Sequence, residues 1–161
     1  MTTSWAGRTP APPERARPAE RPDLQYGSPV AEALTDAELD FLRSILDLAR
    51  AGDTAGLAEA VDAGVPVNLT SAAGDSLLIL AAYHDHPDTV RALLARGADT
   101  GRVNDRGQTA LGAAVFRRST ESVTALLAAG ADPALGGRSA LDIARFFALP
   151  DMLALLGDET G

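Results

Sequence analysis

Two short stretches of this chain carry side chains that could do chemistry. Gly74-Asp75-Ser76-Leu77 sets a serine behind a glycine and an aspartate, the local setting of a hydroxyl nucleophile. His84-Asp85-His86 with Asp88 gathers four groups that can bind metal or carry protons. Each chemistry has a spacing requirement. A serine nucleophile needs a strand-to-helix turn in an α/β framework and a base and acid from a later block. Both histidines stand only 8 and 10 residues beyond Ser76, and no strand-rich segment precedes it. Two metal ligands on one helix must lie three or four residues apart to share a face, whereas His84 and His86 are two apart. Gly136-Gly137 lacks the Lys and Thr that follow a phosphate-cradling loop. With no cysteine, thiolate chemistry, disulfides and sulfur-ligated metals are excluded. No catalytic residue, metal or cofactor is expected.

The elements that carry these residues explain them better. Val90-Arg91-Ala92-Leu93-Leu94-Ala95-Arg96-Gly97-Ala98-Asp99 returns 33 residues later as Val123-Thr124-Ala125-Leu126-Leu127-Ala128-Ala129-Gly130-Ala131-Asp132. Laying 70–102 over 103–135 without a gap gives 11 identities, all Gly, Ala, Leu, Val or Asp. A period of this length marks a stacked repeat. Each unit opens on a glycine turn (Gly74, Gly107), and Ser76 or Thr109 then caps a first helix whose packing face is Leu78, Ala81 and Ala82 or Leu111, Ala114 and Val115. A second helix, begun at Pro87 or capped by Ser119, buries Val90, Leu93 and Leu94 or Val123, Leu126 and Leu127 before Gly97 or Gly130 ends it.

The same unit recurs at both ends in altered form. Thr35-Asp36-Ala37-Glu38 has capping-box spacing, Leu34 and Leu39 fit a hydrophobic staple, and a helix then runs to Gly52. A second helix over about 54–63 presents Leu57, Ala60 and Val61. Ser139-Ala140-Leu141-Asp142-Ile143-Ala144 restarts the pattern after a spacing of 30, so the last connection is short. The final helix, from about Pro150, presents Met152, Leu153, Leu155 and Leu156. End units differ because one face meets water.

These motifs resemble the ankyrin repeat: G-x-[ST]-x-L-x-x-A-A followed by V-x-x-L-L-x-x-G-A-D, over about 36–157. Where that family has Thr-Pro-Leu-His, this chain has Ser76-Leu77-Leu78-Ile79, Thr109-Ala110-Leu111-Gly112 and Ser139-Ala140-Leu141-Asp142. The missing histidines bear on the bonds they make between repeats in that family. The resemblance, which extends in general form to short bacterial ankyrin proteins, implies an all-α solenoid of about four helix-turn-helix units joined by short hairpin-like fingers. The units would be 36–69, 70–102, 103–135 and 136–157, within a domain spanning 31–157. The tetrapeptide Gly74–Leu77 also spells the motif of the GDSL hydrolases, but Gly74 and Ser76 fall on repeat positions.

Composition fits a helical stack. Apolar residues make up 46% of the 161, aromatics 4%, so Ala, Leu and Val must fill the core. The net charge of −8, with no lysine, argues against nucleic-acid binding, which needs a basic face. No apolar run reaches membrane-spanning length and the N-terminus has no secretory h-region, so no membrane association and a cytoplasmic location are expected. Residues 1–30 hold six prolines, four arginines and few large apolar groups, and are expected to be disordered. This segment would be a tether or a docking peptide anchored by Trp5 or Leu24 and Tyr26, or a dispensable extension. Its charge is +1, which leaves −9 on the remainder.

The resemblance also implies a concave face, lined by first helices and fingers, that binds a partner protein. Arg50, Tyr83, Phe116 and Phe146 share one position near the end of each first helix, with His84, Arg117, Arg118, Arg145 and Phe147 beside them. Arg102, Asp105 and Arg106 fall near a finger tip. Aromatic and arginine side chains dominate interface energetics, though Tyr83, Phe116 and Phe146 could instead fill gaps between alanine-rich helices. The expected function is a monomeric, non-catalytic module that binds a protein partner. A chaperone-like accessory that stabilises a partner enzyme would have the same sequence.

Overall fold

A computed structural model describes residues 35–157. The expected tail over 1–30 and the staple residue Leu34 lie outside them. The described residues form eight helices and no strand. They are α1 (Asp36–Ala51), α2 (Thr54–Asp62), α3 (Leu77–Tyr83), α4 (Pro87–Ala95), α5 (Ala110–Phe116), α6 (Thr120–Ala128), α7 (Ala140–Phe146) and α8 (Pro150–Leu156). Successive helices pair. First helices α1, α3, α5 and α7 pack side by side in one layer, and second helices α2, α4, α6 and α8 in another.

Local chemistry sets the helix starts. Thr35 and Glu38 form the reciprocal capping box, with Glu38 N–H donating to Thr35 Oγ1 at 3.0 Å and Thr35 N–H to Glu38 Oε1 at 2.8 Å. Ser76, Thr109 and Ser139 each accept from the backbone N–H three residues on, so one hydroxyl device starts α3, α5 and α7. Ser119 does the same for α6, and Pro87 and Pro150 open α4 and α8.

The link inside each pair needs one left-handed residue: Gly52 (φ 73°), Asp85 (φ 63°), Arg118 (φ 59°) and Ala148 (φ 51°) stand there in turn. Glycine matters most at the first. A Cβ on Gly52 would lie 2.5 Å from His86 Nδ1, so the bare backbone admits that ring as well as the angle.

The core is aliphatic. Leu57, Leu77, Leu78, Leu93, Leu111 and Leu126 are each at most 1% exposed, and alanines such as Ala81, Ala82 and Ala114 let first helices approach closely. Leu94, Leu127 and Leu155 are only half-buried: the helix face that meets the core is narrower than the apolar stripe in the sequence.

Between helix pairs the fingers are turns, with an isolated bridge joining Thr70 to Ser76 in the first. Asp105 N–H donates to Ala73 O at 3.0 Å and Arg138 N–H to Gly107 O at 3.0 Å, so each finger hangs on the one before. Asn104, 5% exposed, donates through Nδ2 to the Asp75 carboxylate at 2.7 Å. Its Oδ1 accepts from the Arg106 and Gln108 N–H groups.

Candidate protein-binding face

The two stretches that suggested chemistry have structural work. Ser76 is 2% exposed and its Oγ accepts from Ile79 N–H at 3.1 Å at the start of α3. Both histidines lie beyond the other end of that helix. Asp75 binds the next finger through Asn104, with Arg106 at 3.8 Å. His86 Nε2 donates to Arg50 O at 2.8 Å and ties the second pair to the first. Among the described residues no cluster of three or more His, Asp or Glu stands together to hold a metal.

What remains is a row of rings. In the described residues every aromatic side chain is at the surface: Phe41, Tyr83, Phe116, Phe146 and Phe147 are all exposed. Four of them touch in sequence. Tyr83 stacks on Phe116 with centroids 6.1 Å apart and planes 3° from parallel. Phe116 meets Phe147 at 5.8 Å and 65°, and Phe147 meets Phe146 at 4.9 Å and 89°. His84 adds an edge contact to Tyr83 at 5.3 Å. Both geometries are favourable for aromatic pairs. The row begins at the second pair, because Arg50 takes the equivalent position in the first and binds Asp47 at 2.7 Å.

Of the residues singled out in the sequence, Tyr83, His84, Phe116 and Phe146 thus join one surface. Register made Phe146 the rung after Phe116. The structure puts Phe147 there instead and leaves Phe146 at the open end, 82% exposed, with no later helix pair among the described residues to pack on it.

Two clefts flank the row. One, of about 490 Å³, is walled by Phe116, Phe146, Phe147, Ile143, Gln108, Gly137, Arg138 and Asp142. The other, of about 350 Å³, is walled by Phe116, Phe147, Arg117, Arg118 and Leu149. Phe116 and Phe147 are therefore a wall common to both. Arg117 and Arg118 line the second of these clefts. Arg102, Asp105 and Arg106 do not line either cleft: Arg102 pairs with Asp99 at 3.3 Å, and Arg106 and Asp105 hold the second finger to the first. Sequence reasoning left Arg138 and Ile143 out of the surface. They approach it because the short third connection lays Gly137 and Arg138 against Gly107.

Electrostatics distinguish the row from the rest. Loss of water around His84, then the electrostatic influence of His86, Arg50 and Arg117, hold its imidazole below the usual range, with Asp75 opposing. Arg43, Arg50, Arg91, Arg96, Arg102 and Arg106 each stand beside a carboxylate. Arg117, Arg118 and Arg138 have none within ion-pair distance among the described residues, and all three line the clefts.

Comparison with known proteins agrees with this architecture. A family model described as ankyrin repeats, in three copies, matches residues 45–156, well over half of the chain. A Pseudomonas aeruginosa protein named for its ankyrin repeats is 48% identical over 52 residues, which cover 32% of this chain and 30% of that protein. The E3 ubiquitin-protein ligase KEG of Arabidopsis thaliana is 39% identical over 56 residues, 35% of this chain and 3% of the ligase. The matches span less than a third of either relative. The chain belongs to the ankyrin repeat family.

Proposed function

We propose that this chain is a non-catalytic interaction module of the cytoplasm that, as a monomer, binds a partner protein on the exposed face of its first helices. Ankyrin repeats are generally protein–protein interaction modules. The observation that carries the reading is the distribution of rings: among the described residues the core holds none, while four touch one another in the open beside Arg117, Arg118 and Arg138, which have no carboxylate at ion-pair distance there. Exposed contiguous aromatic surface is uncommon unless something covers it, and Trp, Tyr and Arg are the types that anchor interfaces. Ser76 as a helix cap and His86 as a link between pairs support a role without chemistry of its own.

Affinity capture from the source lysate, wild type beside Tyr83→Ala/Phe116→Ala, tests this. A protein held by the wild type and lost by a variant with unchanged circular dichroism supports the reading. Equal capture by both forms would move the site off this face, and capture by neither would remove the reading's support.

A further inference from the structure

The chemistry of the clefts also constrains what enters them. We propose that the partner presents an acidic linear segment with an aromatic or leucine anchor, which lies across the wall formed by Phe116 and Phe147. This rests on the reading of the face as a protein-binding surface and names the kind of sequence it takes.

Charge complementarity is the main argument. The module is acidic, yet its acidity is uneven. Residues 35–102 carry eleven carboxylates against five arginines, while 103–157 carry five of each. Along the clefts the balance shifts: Arg138 shares the larger one with Asp142, while Arg117 and Arg118 line the smaller one with no carboxylate among its walls. Cations left without a carboxylate in a protein of net charge −8 keep their full attraction for an incoming one. The arrangement also sets an order along the ligand. The larger cleft, walled by Phe116, Ile143, Phe146 and Phe147, suits a single large apolar side chain. Arg138 lies in that cleft and Arg117 and Arg118 across the wall, so carboxylates on both sides of the anchor meet a guanidinium. A planar guanidinium holds a carboxylate through paired donors. Rings and arginines also serve single-stranded nucleic acid, but such binding scales with the number of phosphates neutralised. Three cations on an acidic body disfavour it. The chain's own 1–30 segment, with four arginines, has the wrong sign for these clefts.

Selection of a random phage-displayed peptide library on the full chain tests the proposal. Enriched peptides are then measured by fluorescence anisotropy against wild type, Arg117→Glu/Arg118→Glu/Arg138→Glu and Tyr83→Ala/Phe116→Ala, with oligo-dT as a competing probe. The expected result is net-acidic peptides with a conserved Phe, Trp or Leu, weakened about tenfold or more by the charge reversal and by raised salt. Each variant must melt as the wild type does. Neutral or basic peptides, acidic peptides indifferent to the reversal, or preferential binding of oligo-dT would each overturn the proposal, as would no enrichment at all. Neutral peptides that are lost on Tyr83→Ala/Phe116→Ala would sink the acidic-segment proposal and leave the interaction module standing.

Discussion

The first and last junctions between helix pairs are built from different materials. Between the first and second pairs, polar side chains reach across. His86 donates to Arg50 O, Thr54 and Thr89 share a hydrogen bond at 2.7 Å, Arg96 grips Asp62 at 2.9 and 3.1 Å, and Asn68 accepts from Asp99 N–H at 2.8 Å. Between the third and fourth pairs the recurring features are a backbone bond from Arg138 to Gly107 and the contact of Phe116 with Phe147. Polar clamps consume their donors and acceptors internally. Exposed rings and unpaired arginines keep theirs available. On the proposed reading, the first junction serves stability and the last serves recognition on one repeat template.

The middle junction shows the change in progress. Thr89 has its equivalent in Ser122, and Thr54 has its equivalent in Pro87, which carries no hydroxyl. Ser122 Oγ is accordingly buried without a partner.

Substitutions can break this comparison, beginning with the shared core. Leu93→Ala and Leu126→Ala should each cost about 2–5 kcal/mol in equilibrium denaturation, since both remove fully buried methyls. A loss confined to one of them would mean that the two pairs are not equivalent units. Next in size is the link residue. Gly52→Ala should destabilise by about 1–3 kcal/mol, because the methyl meets the left-handed angle and the His86 ring together. At the other end Ala148→Gly should raise stability by up to about 1 kcal/mol by relieving the same angle. Thr89→Ala should cost about 1 kcal/mol through the lost bond to Thr54, while Ser122→Ala should be neutral or stabilising, since its hydroxyl is buried unpaired. Equal losses at Thr89 and Ser122 would erase the distinction between the junctions.

The smallest effect is in pH. The native pKa of His84 lies below its unfolded value, so the unfolded chain binds that proton more readily. Stability should therefore fall as pH drops from above 6.5 through the folded pKa. His84→Gln should flatten this slope in melts compared at pH 7.5 and 5.5, values chosen to lie about one unit either side of the free imidazole pKa. An undiminished slope would assign it to other groups. Asp62 adds a separate loss below 3.8, where its carboxylate, held low by the bond from Arg96, takes up a proton.

Much of this fold was legible beforehand because repeats are local. Caps at Ser76, Thr109, Ser119 and Ser139, Pro87 at a helix start and the glycine ends depend on neighbours a few residues away, and all stand where spacing put them. The half-burial of Leu94 and Leu127 was not legible, because it depends on how wide a face the neighbouring pair covers. Nor was the exchange of Phe146 for Phe147, which turns on side-chain packing around the last described helix pair. The bond of His86 to Arg50 O was not legible either, because the two lie 36 residues apart and the bond leaves no periodic mark. The clustering of Arg117, Arg118 and Arg138 away from carboxylates is similarly invisible until Arg43, Arg50, Arg91, Arg96, Arg102 and Arg106 have each been set beside theirs.

The central claim is that the rings at the far end serve recognition, while the aliphatic core holds the fold. Equilibrium unfolding of Tyr83→Ala/Phe116→Ala beside Leu126→Ala tests it without any partner. The account predicts that the ring variant loses clearly less than the leucine variant, since the Tyr83–Phe116 and Phe116–Phe147 pairs it removes are exposed and worth about 0.5–1.5 kcal/mol each. A ring variant that loses as much as Leu126→Ala would make the row part of the core and contradict the account.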